Sequence, residues 1–206
     1  MQQLSPEFLE RFGGFRLPLP DAEVYLLPEF IPKEDRSALQ QALDVNVAWR
    51  QEKIRMFGRQ VDQPRLTAWY ADAGKAYTYS GLTWQPLPWL PELTELRTRL
   101  ESATGAAFNS VLLNLYRHGQ DSMGWHADDE PELGQNSIIA SLSLGQERTF
   151  AFRHRQQKEL KHQLVLPSGS LLLMAGPTQH FWHHQLPKTT KPQQPRINLT
   201  FRFIYS

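Results

Sequence analysis

A chain of 206 residues with no cysteine and a formal charge of +1 can bury a proper core, and it excludes disulfides, thiolate metal sites and a cysteine nucleophile. Its 22 basic and 21 acidic side chains nearly balance, so composition alone carries no nucleic-acid signature. No basic start followed by an apolar run marks a signal peptide, and no stretch approaches the roughly 18 apolar residues of a membrane span.

In chain order, SPEFLERFGG predicts a helix with Ser5 as N-cap, Pro6 at the first helical position and Gly13 as its stop. PKEDRSALQQALD predicts a second, amphipathic helix over 32–44. WLPELTELRTRLESATG predicts a third, opened by Pro91 and closed near Gly105, with Leu90, Leu93, Leu96 and Leu100 at helical spacing. The first half otherwise reads as loops, except that residues 46–89 are rich in aromatics, arginine, Gly and Pro and read as short strands and hairpins. From about 107 the pattern changes to NSVLLNLYRHG, IIASLSLG, RTFAFRHR, HQLVLPSG, GSLLLMAG, TQHFWHH and RINLTFRFIYS, short β-rich segments between Gly or Pro turns. Such a series argues for a sandwich, jelly roll or barrel, mainly β with flanking helices. A single domain over 1–206 is expected, with helices and hairpins in 1–105 and the β core in 106–206.

The chemistry starts at MGWHADDEPELG, residues 123–134. Alone, it reads as an acidic surface loop. On a strand, however, His126 and Asp128 lie two apart, project to one side and can share a metal ion. A third ligand would come from TQHFWHH, which offers His180, His183 and His184. Two imidazoles and one carboxylate leave open positions, as non-haem Fe(II) oxygenases require. In PRINLTFRF, alternation puts Ile197, Leu199, Phe201 and Phe203 on one face and Arg196, Asn198, Thr200 and Arg202 on the other. An ordinary amphipathic edge strand fits that pattern. If the polar face instead lines a barrel, its arginines need anionic partners. Their Cα atoms would be ~20 Å apart, yet long side chains leaning together could serve a small dicarboxylate. Asn114 and Tyr116, two apart in NLY, can face the same ligand. Basic residues also gather at 50–65 (Arg50, Lys53, Arg55, Arg59, Arg65) and in RHRQQKELKH, either as rims for a polyanion or as solvated faces.

NLYRHG…WHADDE, ASLSLG, GSLLLMAG…WHHQLPK and PRINLTFR, in that order, resemble the AlkB family of Fe(II)/2-oxoglutarate-dependent dioxygenases, closest to the branch that repairs alkylated DNA. The resemblance extends upstream through PRLTAWYADAGKAYTYSG and covers roughly residues 50–206. It implies a double-stranded β-helix (jelly roll) core with an N-terminal helical extension and a nucleotide-recognition lid, together one catalytic domain. It implies His126, Asp128 and His184 as iron ligands; His184 is preferred to His183 because the family's ligand just precedes an apolar–Pro stretch, as in HHQLP. Asn114, Tyr116, Arg196 and Arg202, with Asn198 helping, would hold 2-oxoglutarate. The implied cofactors are Fe(II), 2-oxoglutarate as co-substrate and O2, with ascorbate as an activator in vitro.

The implied reaction is oxidative demethylation of 1-methyladenine and 3-methylcytosine in DNA, with RNA left open. It is coupled to decarboxylation of 2-oxoglutarate to succinate and releases formaldehyde. These lesions are cationic, so a carboxylate from Asp129 or Glu130 near the pocket would favour them; bracing of loop arginines is the rival reading, equal in weight for Asp129. Tyr77 and Tyr79 in AYTYS match the family's lid, where stacking on a base is worth ~1–3 kcal/mol, or else they pack in the core. Phe57 in RMFGRQ stands where duplex-repairing members place an aromatic that fills the gap left by a flipped base. His118, His154 and His162 read as surface groups, His180 as support for the site or packing, and Trp125 as packing. A metal-binding cupin without oxygen chemistry is one alternative, opposed by Arg196 and Arg202. A dioxygenase acting on protein or lipid is the other, opposed by Phe57, Tyr77, Tyr79 and the basic run. A monomer without membrane partners, in a bacterial cytoplasm, completes the expectation.

Overall fold

The computed structural model of the protein describes residues 5–56, 59–75, 77–79, 82–191 and 193–205. Phe57 and the side chains of Tyr77 and Tyr79 lie outside the described residues.

Helix α1 (Pro6–Arg11) starts where Ser5 accepts a hydrogen bond from Phe8 N–H at 3.1 Å. Helix α2 (Lys33–Asn46) runs slightly beyond the expected span, and α3 (Pro91–Thr104) is closed by Gly105, whose φ of 66° is left-handed. Two strands appear where loops were expected, β1 (Phe15–Arg16) and β2 (Glu23–Leu27). EVYLL is buried on both faces, so it lacks the alternation that marks a half-exposed strand. The 46–89 segment forms a hairpin of β3 (Lys53–Met56) and β4 (Arg59–Asp62), then β5 (Leu66–Ala71), then a hairpin of β6 (Tyr77–Tyr79) and β7 (Leu82–Trp84).

The remaining strands are β8 (Ser110–Tyr116), β9 (Met123–His126), β10 (Ile139–Gly145), β11 (Arg148–His154), β12 (Lys161–Leu166), β13 (Leu171–Ala175), β14 (Trp182–Leu186) and β15 (Arg196–Arg202). They split into a seven-stranded sheet, ordered β1-β2-β13-β10-β15-β8-β5, and a four-stranded sheet, ordered β12-β11-β14-β9. From β8 on, the chain crosses from one sheet to the other at every connection except the β11–β12 hairpin. This winding is a double-stranded β-helix, the jelly-roll core expected, with helices covering one side. TQHFWHH departs from expectation: TQHF is a single helical turn, α4 (Thr178–Phe181), and only WHHQL continues as strand.

Two hydrophobic cores hold the layers. Ile197, Leu199 and Phe201 of β15 pack with Leu43 of α2 and Leu93, Leu96 and Leu100 of α3 on the outer side of the large sheet. Between the sheets, Leu112, Phe150, Phe152, Leu172, Met174 and Trp182 form the second. Every residue of β15 is buried, so its polar face looks into the barrel and the edge-strand reading fails. Phe203, expected on the same apolar face, falls beyond the strand's end at Arg202.

Polar staples close the barrel's loops. Arg148 donates to the carbonyls of Asp121 at 3.1 Å and Pro187 at 2.8 Å, joining the β8–β9 loop to the segment after β14. Within the β8–β9 loop, the Asp121 carboxylate accepts from Arg117 Nε at 2.7 Å, Nη2 at 3.0 Å and backbone N–H at 2.9 Å. Burial alone would raise the Asp121 pKa, but these bonds outweigh it and hold the pKa below the ordinary value. A depressed carboxylate pKa adds stability above the ordinary value and loses it as pH falls through the folded one. Asp121→Asn should therefore melt several degrees below wild type at pH 7, and the gap should close below about pH 4. Melting curves across pH 3–7 with a constant gap would refute this.

Candidate metal and co-substrate site

Inside the barrel, one cavity is lined by His126, Asp128 and His184 together with Asn114, Tyr116 and Arg196. His126 ends β9 and stands opposite His184 of β14 in the ladder. The register of this pair shifts between His184 and Leu186, a bulge of the kind that re-aims a strand's side chains. The His126 Nδ1 lies 2.8 Å from the Gly124 carbonyl, which fixes Nδ1 as the protonated nitrogen and leaves Nε2 as the free donor atom. His184 Nε2 is 3.9 Å from Asp128 Oδ2, and the ligand atoms of the three residues lie within 4.8 Å of one another. His183, by contrast, is paired with Arg153 on the opposite face of β14 and does not join the group.

Asp128 corrects the spacing argument. The strand stops at His126, and Asp128 belongs to the loop that follows. Its backbone N–H, beyond the ladder, donates to Gln179 Oε1 of α4 at 3.0 Å. Its carboxylate accepts from Arg202 Nη2 at 2.7 Å.

The donor set is ready for a divalent metal. Burial lowers the pKa of both histidines, His184 to about 3, so the imidazoles are neutral and their ring nitrogens available. Burial alone would raise Asp128, but the Arg202 guanidinium beside it prevails and holds it at about 2. Two neutral imidazoles and a carboxylate, buried and converging, are the protonation states that metal ligation needs. The Nδ1 of His184 is buried without a hydrogen-bond partner among the described residues.

The two arginines of β15 differ. Arg202 is committed to Asp128. Arg196 is fully buried, lies 5.3 Å from the centre of the Tyr116 ring and donates to Ser143 Oγ at 2.9 Å. Burial lowers its pKa to about 10, yet it remains a cation at neutral pH, and no carboxylate pairs with it among the described residues. Asn198 spends its amide on the scaffold, donating to Ser141 Oγ at 2.8 Å and the Leu142 carbonyl at 3.0 Å. Asn114 accepts from Arg65 Nε at 2.8 Å.

Several participants escaped sequence reasoning. Arg65 sat in a basic run but is buried, also donating to the Ser122 carbonyl. Ser141 and Ser143 alternate on β10, a signal that was present but indistinct among the Ser and Leu of ASLSLG. Gln179 carried no signal. His154, expected at the surface, is buried against Phe181 and Trp182, and its Nδ1 accepts from the backbone of Gln156 and Gln157. Trp125 carries the Arg153 guanidinium 4.5 Å over its ring. His180 is exposed and meets Asn136 Oδ1 at 3.0 Å. Asp129 is exposed and bound to Arg155 at 2.9 Å, the bracing arrangement, while Glu130 is half-buried beside it.

A face of two imidazoles and a carboxylate beside a buried, unneutralised arginine defines a non-haem metal oxygenase that takes an anionic co-substrate. Comparison with known proteins names it further. The model of the 2OG-Fe(II) oxygenase superfamily matches residues 23–202. The human alpha-ketoglutarate-dependent dioxygenase alkB homolog 3 is 40% identical over 98% of this chain and 74% of its own length. The bovine DNA oxidative demethylase ALKBH2 is 46% identical over 74% of this chain and 57% of its own. The solved structure of OsALKBH1 superposes with a TM-score of 0.63 at 17% identity, covering 87% of this chain and 96% of that one. The chain therefore belongs to the 2OG-Fe(II) oxygenase superfamily and, within it, to the AlkB family. Its cofactors are Fe(II), 2-oxoglutarate and O2.

The placement of the two adjacent histidines gives a direct test. With Co(II) as the probe and binding followed by titration calorimetry, His184→Ala should weaken affinity by more than about 100-fold, beyond the roughly 10- to 100-fold effect of losing a ligand's supporting hydrogen bond. His183→Ala should leave affinity unchanged. The reverse pattern would give the ligand position to His183.

Proposed function

We propose that the protein oxidatively demethylates N-alkylated bases, 1-methyladenine and 3-methylcytosine, in DNA. The observation that carries this reading is Arg196, a buried cation without a carboxylate partner among the described residues, in one cavity with His126, Asp128 and His184. A charge so placed calls for an anion from outside the chain, and 2-oxoglutarate is the anion this family uses. The names of the similar human and bovine proteins support the nucleic-acid substrate.

In this reading His126, Asp128 and His184 hold the iron. When bound, iron with 2-oxoglutarate and O2 supplies the oxidation, in which one oxygen atom enters succinate as CO2 leaves and the other enters the N-methyl group. The resulting N-hydroxymethyl base releases formaldehyde. The chain's own residues orient and exclude. Arg202 fixes the Asp128 carboxylate, Arg196, whose guanidinium lies over the Tyr116 ring, would hold a co-substrate carboxylate, and Arg65 sets the Asn114 amide. Asn198 helps by steadying β15 against Ser141. Phe150 and Phe152 wall the imidazole of His184 in apolar surface, with the Phe150 ring 5.4 Å away and nearly parallel. At the mouth, Asp129 and Glu130 supply negative charge toward a cationic base, Asp129 sharing its own with Arg155. Tyr77 and Tyr79 serve as stacking surfaces for the extruded nucleotide and Phe57 as the wedge in a duplex. Residues 1–105 and 106–206 work as one catalytic unit, acting as a monomer. A reducing cytoplasm suits it, because Fe(II) must stay reduced. No helix among the described residues is long and apolar enough to cross a membrane.

Formaldehyde and repaired-base release from methylated oligonucleotides, given Fe(II), 2-oxoglutarate and ascorbate, tests the reaction. Activity on neither strand form, with 2-oxoglutarate still bound, would reject the substrate class. Arg196→Lys should raise the KM for 2-oxoglutarate roughly 10- to 100-fold, matching the ~1.5–3 kcal/mol of a charge-assisted hydrogen bond. An unchanged KM would remove Arg196 from the co-substrate site. Phe57→Ala should depress turnover on duplex several-fold and leave single strands unaffected; equal losses on both would discard the wedge.

A further inference from the structure

The Asp128 carboxylate is aimed from a loop, and nothing in the β9–β14 ladder holds that loop, because pairing ends at His126↔His184. The backbone N–H of Asp128 is buried and donates its hydrogen bond to a side chain 51 positions away, Gln179 Oε1 at 3.0 Å. Gln179 is itself only 3% exposed. Its other amide atom faces Met174 Sδ at 3.7 Å. Sulfur accepts a weak hydrogen bond and donates none, so this contact seats the NH2 group and turns the amide oxygen toward Asp128.

The turn that carries Gln179 grips the same loop at two further points. Arg155 Nη1 donates both to the Gln179 carbonyl at 3.2 Å and to Asp129 Oδ2 at 2.9 Å. His180 Nε2 meets Asn136 Oδ1 at 3.0 Å. The turn is anchored from behind, where Thr178 Oγ1 accepts from Glu23 N–H at 2.9 Å and donates to the Ala175 carbonyl at 2.6 Å. A chain of contacts thus runs from β2 through α4 to Asp128, two residues beyond the end of β9.

We propose that Gln179 is a positioning residue for Asp128 beside Arg202: its amide oxygen holds the backbone from which the Arg202-paired carboxylate reaches the cavity, and metal affinity depends on it. The inference rests on reading His126, Asp128 and His184 as the metal ligands. Losing a partner that orients a metal ligand costs roughly 10- to 100-fold in affinity. A side chain of equal length keeps the volume filled but leaves the buried Asp128 N–H without an acceptor, so the metal-free protein should melt a few degrees lower.

The test is Co(II) binding to the metal-free full chain, by calorimetry and by the visible spectrum of bound Co(II), with thermal unfolding of the metal-free protein alongside. Gln179→Met keeps the volume and removes the acceptor; it should weaken Co(II) binding roughly 10- to 100-fold and alter the spectrum, while the metal-free protein still folds cooperatively and melts only a few degrees lower. Gln179→Glu keeps an acceptor oxygen in either protonation state and should bind within about threefold of wild type. Should Gln179→Met fail to fold, Gln179→Asn retains an amide but draws its oxygen back by one methylene, and it should weaken binding in the same sense. Wild-type affinity and spectrum in Gln179→Met, or an equal loss in Gln179→Glu, would overturn the inference. A wild-type chain that does not bind Co(II) would overturn the ligand assignment itself, a separate failure.

Discussion

Arg202 and Asp128, 74 positions apart in the chain, meet at 2.7 Å inside the barrel. The pair joins the last strand of the large sheet to the loop leaving β9 of the small one. Each group alone would be costly there, since an unpaired buried charge is penalised by several kcal/mol. Together they keep the carboxylate ionised at about 2 despite complete burial. Were Asp128 neutral, two imidazoles would face a carboxylic acid and the cluster would lose the one anionic donor that the proposed metal site offers. On that proposal the chemistry of the site rests on Arg202, which reaches the donor set through Asp128.

The same constraint explains the contrast between the two arginines of β15. Arg202 has an internal partner; Arg196, six positions earlier on the same face, has Ser143 and the Tyr116 ring. Neither of these neutralises a guanidinium. Such an imbalance is completed by an anion from outside the chain, the role proposed for the co-substrate at Arg196. The two sheets share this work: the large one contributes the arginines, Asn114 and Tyr116, while the small one contributes the imidazoles. The ligand cavity exists because the winding of eight strands brings those faces together.

Precision comes from elements outside the barrel's ladders. The bulge between β9 and β14 aims His126, and the short turn α4 fastens Asp128 through Gln179. The loop that follows is fastened at two further points, where Arg155 bonds Asp129 and His180 meets Asn136.

By itself, the sequence determined much of the architecture. Alternation in PRINLTFRF assigned each side chain of β15 to its face, and Ser5, Pro91 and Gly105 set helix ends through local capping, which needs only neighbouring residues. Periodicity reports the faces of an element, however, and not what the faces meet. EVYLL went unread because two-sided burial erases alternation. Whether the polar side of β15 looked outward or inward, that Asp128 reaches the site from beyond its strand, that Arg65 leaves a basic run for the interior, and that Gln179 matters at all were decided by tertiary structure. Each depends on a partner some 50 to 75 positions away, as with Asn114 for Arg65, Gln179 for Asp128 and Asp128 for Arg202. The energy of a buried polar group is fixed by that distant partner, and only the folded chain brings the two together.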